Sequence, residues 1–187
     1  MNNNLDTDYT AKKKKSDIFA WLRSIGITTV IAGIIIVFVA QIVNINGQSM
    51  EPTFYHGDRV LMYKIDKNYK QGDIIVAKHV IDEPIIKRVI ATEGQVVDFD
   101  LDAKEVTVNG KIIPGSTFDL PDGETIIDPL SGTMMKFPQT VPKDCVFVLG
   151  DNRMHSSDSR FSQIGMIPKD KILGKVILRI FPNPGLL

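Results

Sequence analysis

The chain has 187 residues, with 22 basic and 22 acidic side chains and a formal net charge of zero. That balance excludes the basic excess or stripe expected of a nucleic-acid binder, and a single cysteine, Cys145, excludes an intrachain disulfide. Three scattered histidines (His56, His79 and His155), with no H-x-x-x-H or C-x-x-C spacing, offer no metal site, and no cofactor is expected.

The first ten residues, Met1 to Thr10, are rich in Asn and Asp without apolar periodicity, and residues 1–23 are read as a tail with a disordered head. From Ser24 to Gln48 no residue is charged, and Ile25 to Ile45 is dominated by Ile, Val, Ala and Phe. A helix needs roughly 20 such residues to cross the hydrocarbon of a bilayer. Residues 24–45 are therefore expected to form a transmembrane anchor. A removable signal peptide is the competing reading, but the run exceeds the usual apolar region, and bulky Phe38 stands where a cleavage site wants a small residue. Lys12 to Lys15 and Arg23 precede the span, so the N-terminus is expected to be cytoplasmic. The implied localisation is a single-pass protein of the plasma membrane, with residues 46–187 outside the cytoplasm.

Those remaining residues read as a mostly β domain. Arg59–Ile65, Ile74–Ala77 and Ile85–Ala91 are short β-branched runs, punctuated by Gly57-Asp58, Gly72-Asp73 and Glu93-Gly94. Asn109-Gly110 between apolar-rich runs is a two-residue hairpin signal. Val146–Leu149 and Ile172–Phe181 supply further strands. Residues 114–141, richer in Pro, Gly, Asp and Thr, are expected to be an inserted hairpin or long loop. Cys145 opens an apolar run and is read as a buried small hydrophobe rather than a nucleophile.

Four segments stand apart from this pattern. They are Asn46-Gly47-Gln48-Ser49-Met50-Glu51-Pro52-Thr53-Phe54, Gly57-Asp58-Arg59-Val60 with Gly72-Asp73-Ile74, Ile86-Lys87-Arg88-Val89-Ile90, and Gly150-Asp151-Asn152-Arg153 running on through Ser156-Ser157-Asp158-Ser159-Arg160. In this order, behind an apolar N-terminal segment, they resemble the motifs of type I signal peptidases. The resemblance extends from the apolar segment to about Phe181, the insert excepted. It implies a signal-peptidase-like β domain behind one transmembrane helix. The activity it implies is a membrane-bound serine endopeptidase that removes signal peptides from exported preproteins and cuts after small residues at −3 and −1. Signal peptides and the lipid bilayer are then the partners.

The chemistry agrees with the resemblance. A serine hydroxyl is a poor nucleophile unless a base takes its proton. By the family pattern Ser49 is that nucleophile and Lys87 the base. A lysine is charged at neutral pH unless burial disfavours the ammonium, and Ile85, Ile86, Val89 and Ile90 supply apolar flanks. A Ser-His-Asp triad competes poorly, because none of the three histidines lies in a triad motif near Ser49. By carry-over Ser156 orients the lysine by a hydrogen bond, Asp151 pairs with Arg88, and Asp158 pairs with Arg160. Ile45, Met50, Phe54, Ile85 and Ile86 are placed along the substrate groove. The Ser49 N–H would stabilise the oxyanion. Some relatives use a serine two residues earlier as second donor, a position held here by Gly47, and the sequence does not settle what replaces it. Two further departures are Phe161–Ile164, which delay the next glycine to Gly165, and Ala91-Thr92-Glu93-Gly94-Gln95 in place of the usual G-x-P-G-D turn. A self-cleaving repressor shares Ser/Lys chemistry but would carry a DNA-binding domain, and a non-catalytic chaperone relative would have lost Ser49 or Lys87.

Overall fold

The computed structural model describes residues 3–78, 83–100, 102–123, 125 and 134–186, with side chains for these except residues 3–17 and 35–37. It divides into two compact units, Met1–Val39 and Ala40–Leu187.

The first unit is helix α1, Asn3–Val39. No glycine or proline interrupts it before Gly26, so nothing in the Asn/Asp-rich head breaks the helix. The head expected to be disordered is helical from Asn3 onward. Thr28 and Thr29 turn their hydroxyls back onto the carbonyls of Ser24 and Ile25, each at 2.9 Å. The helix stops at Val39, inside the expected 24–45 anchor, and Ala40–Asn44 form strand β1 instead. The physical reason is partnership: all five residues pair antiparallel with Arg59–Tyr63, and a β-branched Ile42-Val43 step suits that pleat. Among the described residues no helix is long and apolar enough to cross a membrane.

The second unit is mostly β. After β1 come β2 (Arg59–Tyr63), β3 (Ile74–Ala77), β4 (Ile85–Thr92), β5 (Val96–Asp100), β6 (Glu105–Val108) and β7 (Lys111–Ile113). Then follow β8 (Gln139–Thr140), β9 (Cys145–Leu149), β10 (Ile167–Pro168), β11 (Ile172–Phe181) and β12 (Gly185–Leu186). One sheet runs β1-β2-β11-β3-β4-β9-β10 with β12 on β11, and a second runs β7-β6-β5-β8. Asn109 and Gly110 both adopt positive φ, 52° and 75°, as the tight hairpin between β6 and β7 requires.

The middle strands of the large sheet, β3 and β4, are buried on both faces, which is why β3 is a continuous apolar run and β4 is apolar apart from Lys87, Arg88 and its last residue, rather than alternating. On one face Ile74, Val76 and Ile86 pack with Ile45, Met50, Phe54, Met62 and Val176. On the other, Ile75, Ala77 and Val89 pack with Val146, Val148, Ile167 and Ile172. The small sheet closes a third cluster in which Phe99, Phe137 and Phe147 meet edge to face at 4.7 and 5.9 Å. The insert is less a loop than a piece of this arrangement. Gly115–Phe118 form a 3-10 turn, Leu120 and Val141 are buried, and β8 pairs with β5. Residues 126–133 of the insert, and His79, lie outside the described residues.

Candidate active site

Two backbone ladders carry the central pair. Ser49 sits in the turn after β1, and the ends of that turn are tied by Ile45 N–H to the Asp58 carbonyl at 2.8 Å and Gly57 N–H to the Ile45 carbonyl at 2.9 Å. Gly47 holds φ of 95°, a conformation costly for any residue with a Cβ. Lys87 lies inside β4, opposite Ile75 of β3. The turn and the strand bring Lys87 Nζ to 2.7 Å from Ser49 Oγ, with a second contact of 3.0 Å from Nζ to the Ile86 carbonyl. Lys87 is only 5% exposed. Burial lowers its pKa from the ordinary 10.5 to about 8, against the opposing pull of Asp158 and Asp151, with Arg160 adding a smaller downward push.

A buried ionic frame surrounds the pair. Arg88 grips Asp151 through two bonds, Nε to Oδ1 at 2.8 Å and Nη2 to Oδ2 at 2.6 Å. It also donates to the Gly72 carbonyl at 3.0 Å, and its guanidinium lies 5.0 Å from the Phe118 ring centroid. Arg160 grips Asp158 likewise, at 2.8 and 2.9 Å. Asp158 accepts the Gly150 N–H at 3.0 Å, while the Asn152 N–H donates to the Ser49 carbonyl at 3.1 Å and so ties this loop to the serine turn.

A family model described as signal peptidase, peptidase S26, matches residues 18–181. The chain belongs to this family. A signal peptidase I of Bacillus licheniformis is 32% identical over 184 residues, covering 94% of this chain and 95% of that protein. Signal peptidase I T of Bacillus subtilis (strain 168) is 33% identical over 186 residues, covering 96% and 93%. A solved signal peptidase I from Enterococcus faecalis V583 aligns with a TM-score of 0.42 at 23% identity, over 58% of this chain and 96% of that one. The chain is accordingly a hydrolase of the signal peptidase I type.

In this peptidase a cavity of about 440 Å³ opens beside the pair, lined by Val43, Asn44, Ile45, Asn46, Ser49 and Met50 on one side and Glu83, Pro84, Ile85, Ile86 and Lys87 on the other, with Val76 also in the wall. Four of the five residues expected along the groove are thus in its wall. Phe54 is not. It is fully buried in the core below, with the Arg179 guanidinium 5.2 Å from its ring centroid. The motif spacing placed it near Ser49, but the Phe54 N–H bonds the Met50 carbonyl at 2.8 Å, and this helical turn sends the side chain inward. A larger cavity, about 780 Å³, lies elsewhere, between Thr53, Asp73, Arg88, Phe118 and Lys175.

Ser156 also differs from expectation. Its buried hydroxyl has no hydrogen-bond partner among the described residues, so the bond to Lys87 is not made; the hydroxyl packs instead against Gly150. A Cβ at Gly150 would stand 2.1 Å from Ser156 Oγ and 2.5 Å from the Ser49 carbonyl oxygen. Gly150 was inside the quoted motif, yet nothing in the letters told its close approach from an ordinary turn. Thr53 was missed too: its hydroxyl donates to Asp151 at 2.5 Å and accepts from Arg88 at 3.3 Å. The Gly47 N–H is taken by His56 Nδ1 at 3.3 Å. The delayed glycine after Arg160 is absorbed by a single turn, in which the Ile164 and Gly165 N–H groups both reach the Phe161 carbonyl.

Proposed function

We propose that the chain removes signal peptides from exported preproteins, with Ser49 as nucleophile and Lys87 as its general base. The observation that carries the reading is the 2.7 Å contact between Ser49 Oγ and a lysine amine held out of water. A pKa of about 8 keeps a useful share of that amine neutral near neutral pH. The neutral amine takes the hydroxyl proton as Ser49 Oγ attacks the scissile carbonyl. The negative oxygen that forms is met by the Ser49 N–H. Lys87 then returns its proton to the departing amine, an acyl-serine remains, and Lys87 activates the water that hydrolyses it.

Two features support cleavage after small side chains. The cavity walls beside the pair are Ile45, Met50, Ile85 and Ile86, bulky apolar groups that leave shallow space. β9 pairs with β4 only from Arg88 onward, and β1 ends the sheet, so both edges along the cavity keep backbone groups for an extended substrate. Alternate side chains then meet the wall, which selects small residues one and three positions before the cut. Anchoring in the membrane rests on α1, where Ile18, Phe19, Trp21, Leu22, Ile27, Val30, Ile31 and Ile34 are all exposed. An apolar surface of that extent suits lipid better than water, and the basic run Lys12–Lys15 favours a cytoplasmic N-terminus.

The test is incubation of the purified full-length chain in detergent with a preprotein, the new N-terminus being read by mass spectrometry. Cleavage at the signal-peptide junction by the wild type, and none by Ser49→Ala, is the expected result. Cleavage that persists in Ser49→Ala overturns the reading.

A further inference from the structure

Arg153 stands in the Gly150-Asp151-Asn152-Arg153 run, yet its guanidinium takes no part in the frame described above. It is 6% exposed. Its Nη1 donates to Thr125 Oγ1, while Nε and Nη2 are buried without a partner among the described residues. In Arg88 and Arg160 the same Nε/Nη2 edge holds a carboxylate. Burying a guanidinium with two idle donors costs stability, so its presence points to a use other than stability.

The contacts on either side of Arg153 form a continuous path. Thr125 Oγ1 donates to Glu105 Oε2 at 3.0 Å. The other oxygen of Glu105, at the start of β6, accepts the Gly123 N–H at 2.5 Å and the Gly115 N–H at 3.3 Å. One carboxylate therefore gathers both ends of the segment from Gly115 to Thr125. In the opposite direction the Arg153 carbonyl accepts from Arg160 Nη2 at 2.6 Å. Arg160 holds Asp158, Asp158 holds the Gly150 N–H, and Gly150 lies against the Ser49 carbonyl. We propose that Arg153 is a positioning residue: through Thr125 and Glu105 it fastens the insert to the loop from Gly150 to Arg160, and so sets that loop against Ser49 and Lys87. The inference rests on the dyad reading above. Its force comes from the narrow tolerance of proton transfer, where a displacement of about 1 Å can cost about a hundredfold in rate.

The test uses the full-length protein in detergent with a preprotein, and reads kcat, KM, Tm and the acid limb of the pH–rate profile. Arg153→Met removes the idle donors, and is expected to keep or raise Tm while lowering kcat about tenfold or more, with KM within about threefold. The acid limb should move to higher pH, because a loosened loop admits water to Lys87 among its neighbours Asp158, Asp151 and Arg160. Thr125→Val leaves the Arg153 charge in place and should reproduce part of the kcat loss. The double variant should be no worse than Arg153→Met alone, since both act through one path, and Arg153→Lys should restore much of the rate. Wild-type kcat with an unmoved acid limb in Arg153→Met overturns the proposal, as do fully additive losses in the double variant. A kcat loss that merely follows a fallen Tm, with the acid limb unmoved, overturns it too. The two readings fail separately: activity in Ser49→Ala removes the dyad, whereas an inactive Ser49→Ala beside a fully active Arg153→Met removes only the positioning role.

Discussion

Lys87 is held at the expense of stability, and the sign of that cost can be worked out. Its folded pKa of about 8 lies below the ordinary 10.5 because burial penalises the ammonium. Between these two values the unfolded chain binds more protons than the folded one, so stability rises with pH across that window. Below it the penalty is present in full, on the order of 3 kcal/mol for a shift of this size. Lys87→Met is therefore expected to be inactive but more stable than wild type at pH 7, by several degrees of Tm for a chain of this length. The gain should vanish toward pH 10.5. Thermal melts of both proteins across pH 6 to 10.5 check this, and parallel curves for the two would refute it. With Lys87 as the proposed base, the same group should set the rate profile. kcat/KM should rise with pH through an acid limb near pH 8, as the amine becomes neutral. A limb below about pH 6 would assign the base to a histidine or carboxylate instead. The pairings of Lys87 with Ser49, Arg88 with Asp151 and Arg160 with Asp158 were legible in the sequence because long motifs carry these residues. Arg153, Thr125 and Glu105 were not, because their link depends on a side-chain path between segments with no shared pattern.

At the scale of elements, the loop from Gly150 to Arg160 fits against the serine turn with no spare room. Gly150→Ala would place a methyl on the Ser49 carbonyl oxygen, a backbone atom held in turn by the Asn152 N–H. The clash cannot be relieved by rotating a side chain alone. The expected result is a kcat at least about tenfold lower, from a shift of Ser49 relative to Lys87. Steady-state kinetics at saturating substrate check it, and an unchanged kcat would mean that the loop can withdraw freely. The strands themselves were legible in unequal measure. β3, β4, β9 and β11 announce themselves by β-branched runs between turn residues, and the Asn109-Gly110 hairpin by its turn chemistry. β8, β10 and β12 have two residues each and exist only through their partners, so no local pattern marks them. β1 was hidden for another reason. Its Ala-Gln-Ile-Val-Asn continues the apolar run of the helix without any punctuating residue, and only pairing with β2 separates the two.

For the whole molecule, that hidden strand decides where the chain can be divided. Every residue of the buried clusters lies between Ile45 and Val176, and the compact β unit begins at Ala40. A chain shortened to residues 40–187 should therefore fold with a Tm near that of the whole protein and cleave a soluble signal-peptide substrate at a comparable rate. It should no longer sediment with phospholipid vesicles, if α1 is the anchor. A chain beginning at residue 46, the boundary expected from hydropathy alone, should behave differently. It loses all five β1–β2 pairs and Ile45, whose side chain is buried beside Met50 and Val76 and whose backbone ties both ends of the serine turn. Removing one buried isoleucine costs about 2–5 kcal/mol, and exposing the flank of β2 adds to it. Roughly 4 kcal/mol corresponds to a fall of about 10 °C in Tm at this size, and the freed turn should take kcat down with it. Melting curves and peptide cleavage by the two shortened chains make the comparison. Equal Tm and equal kcat would show that β1 contributes neither to the fold nor to the alignment of Ser49, whereas loss of folding in the 40–187 chain would show that the β unit depends on α1.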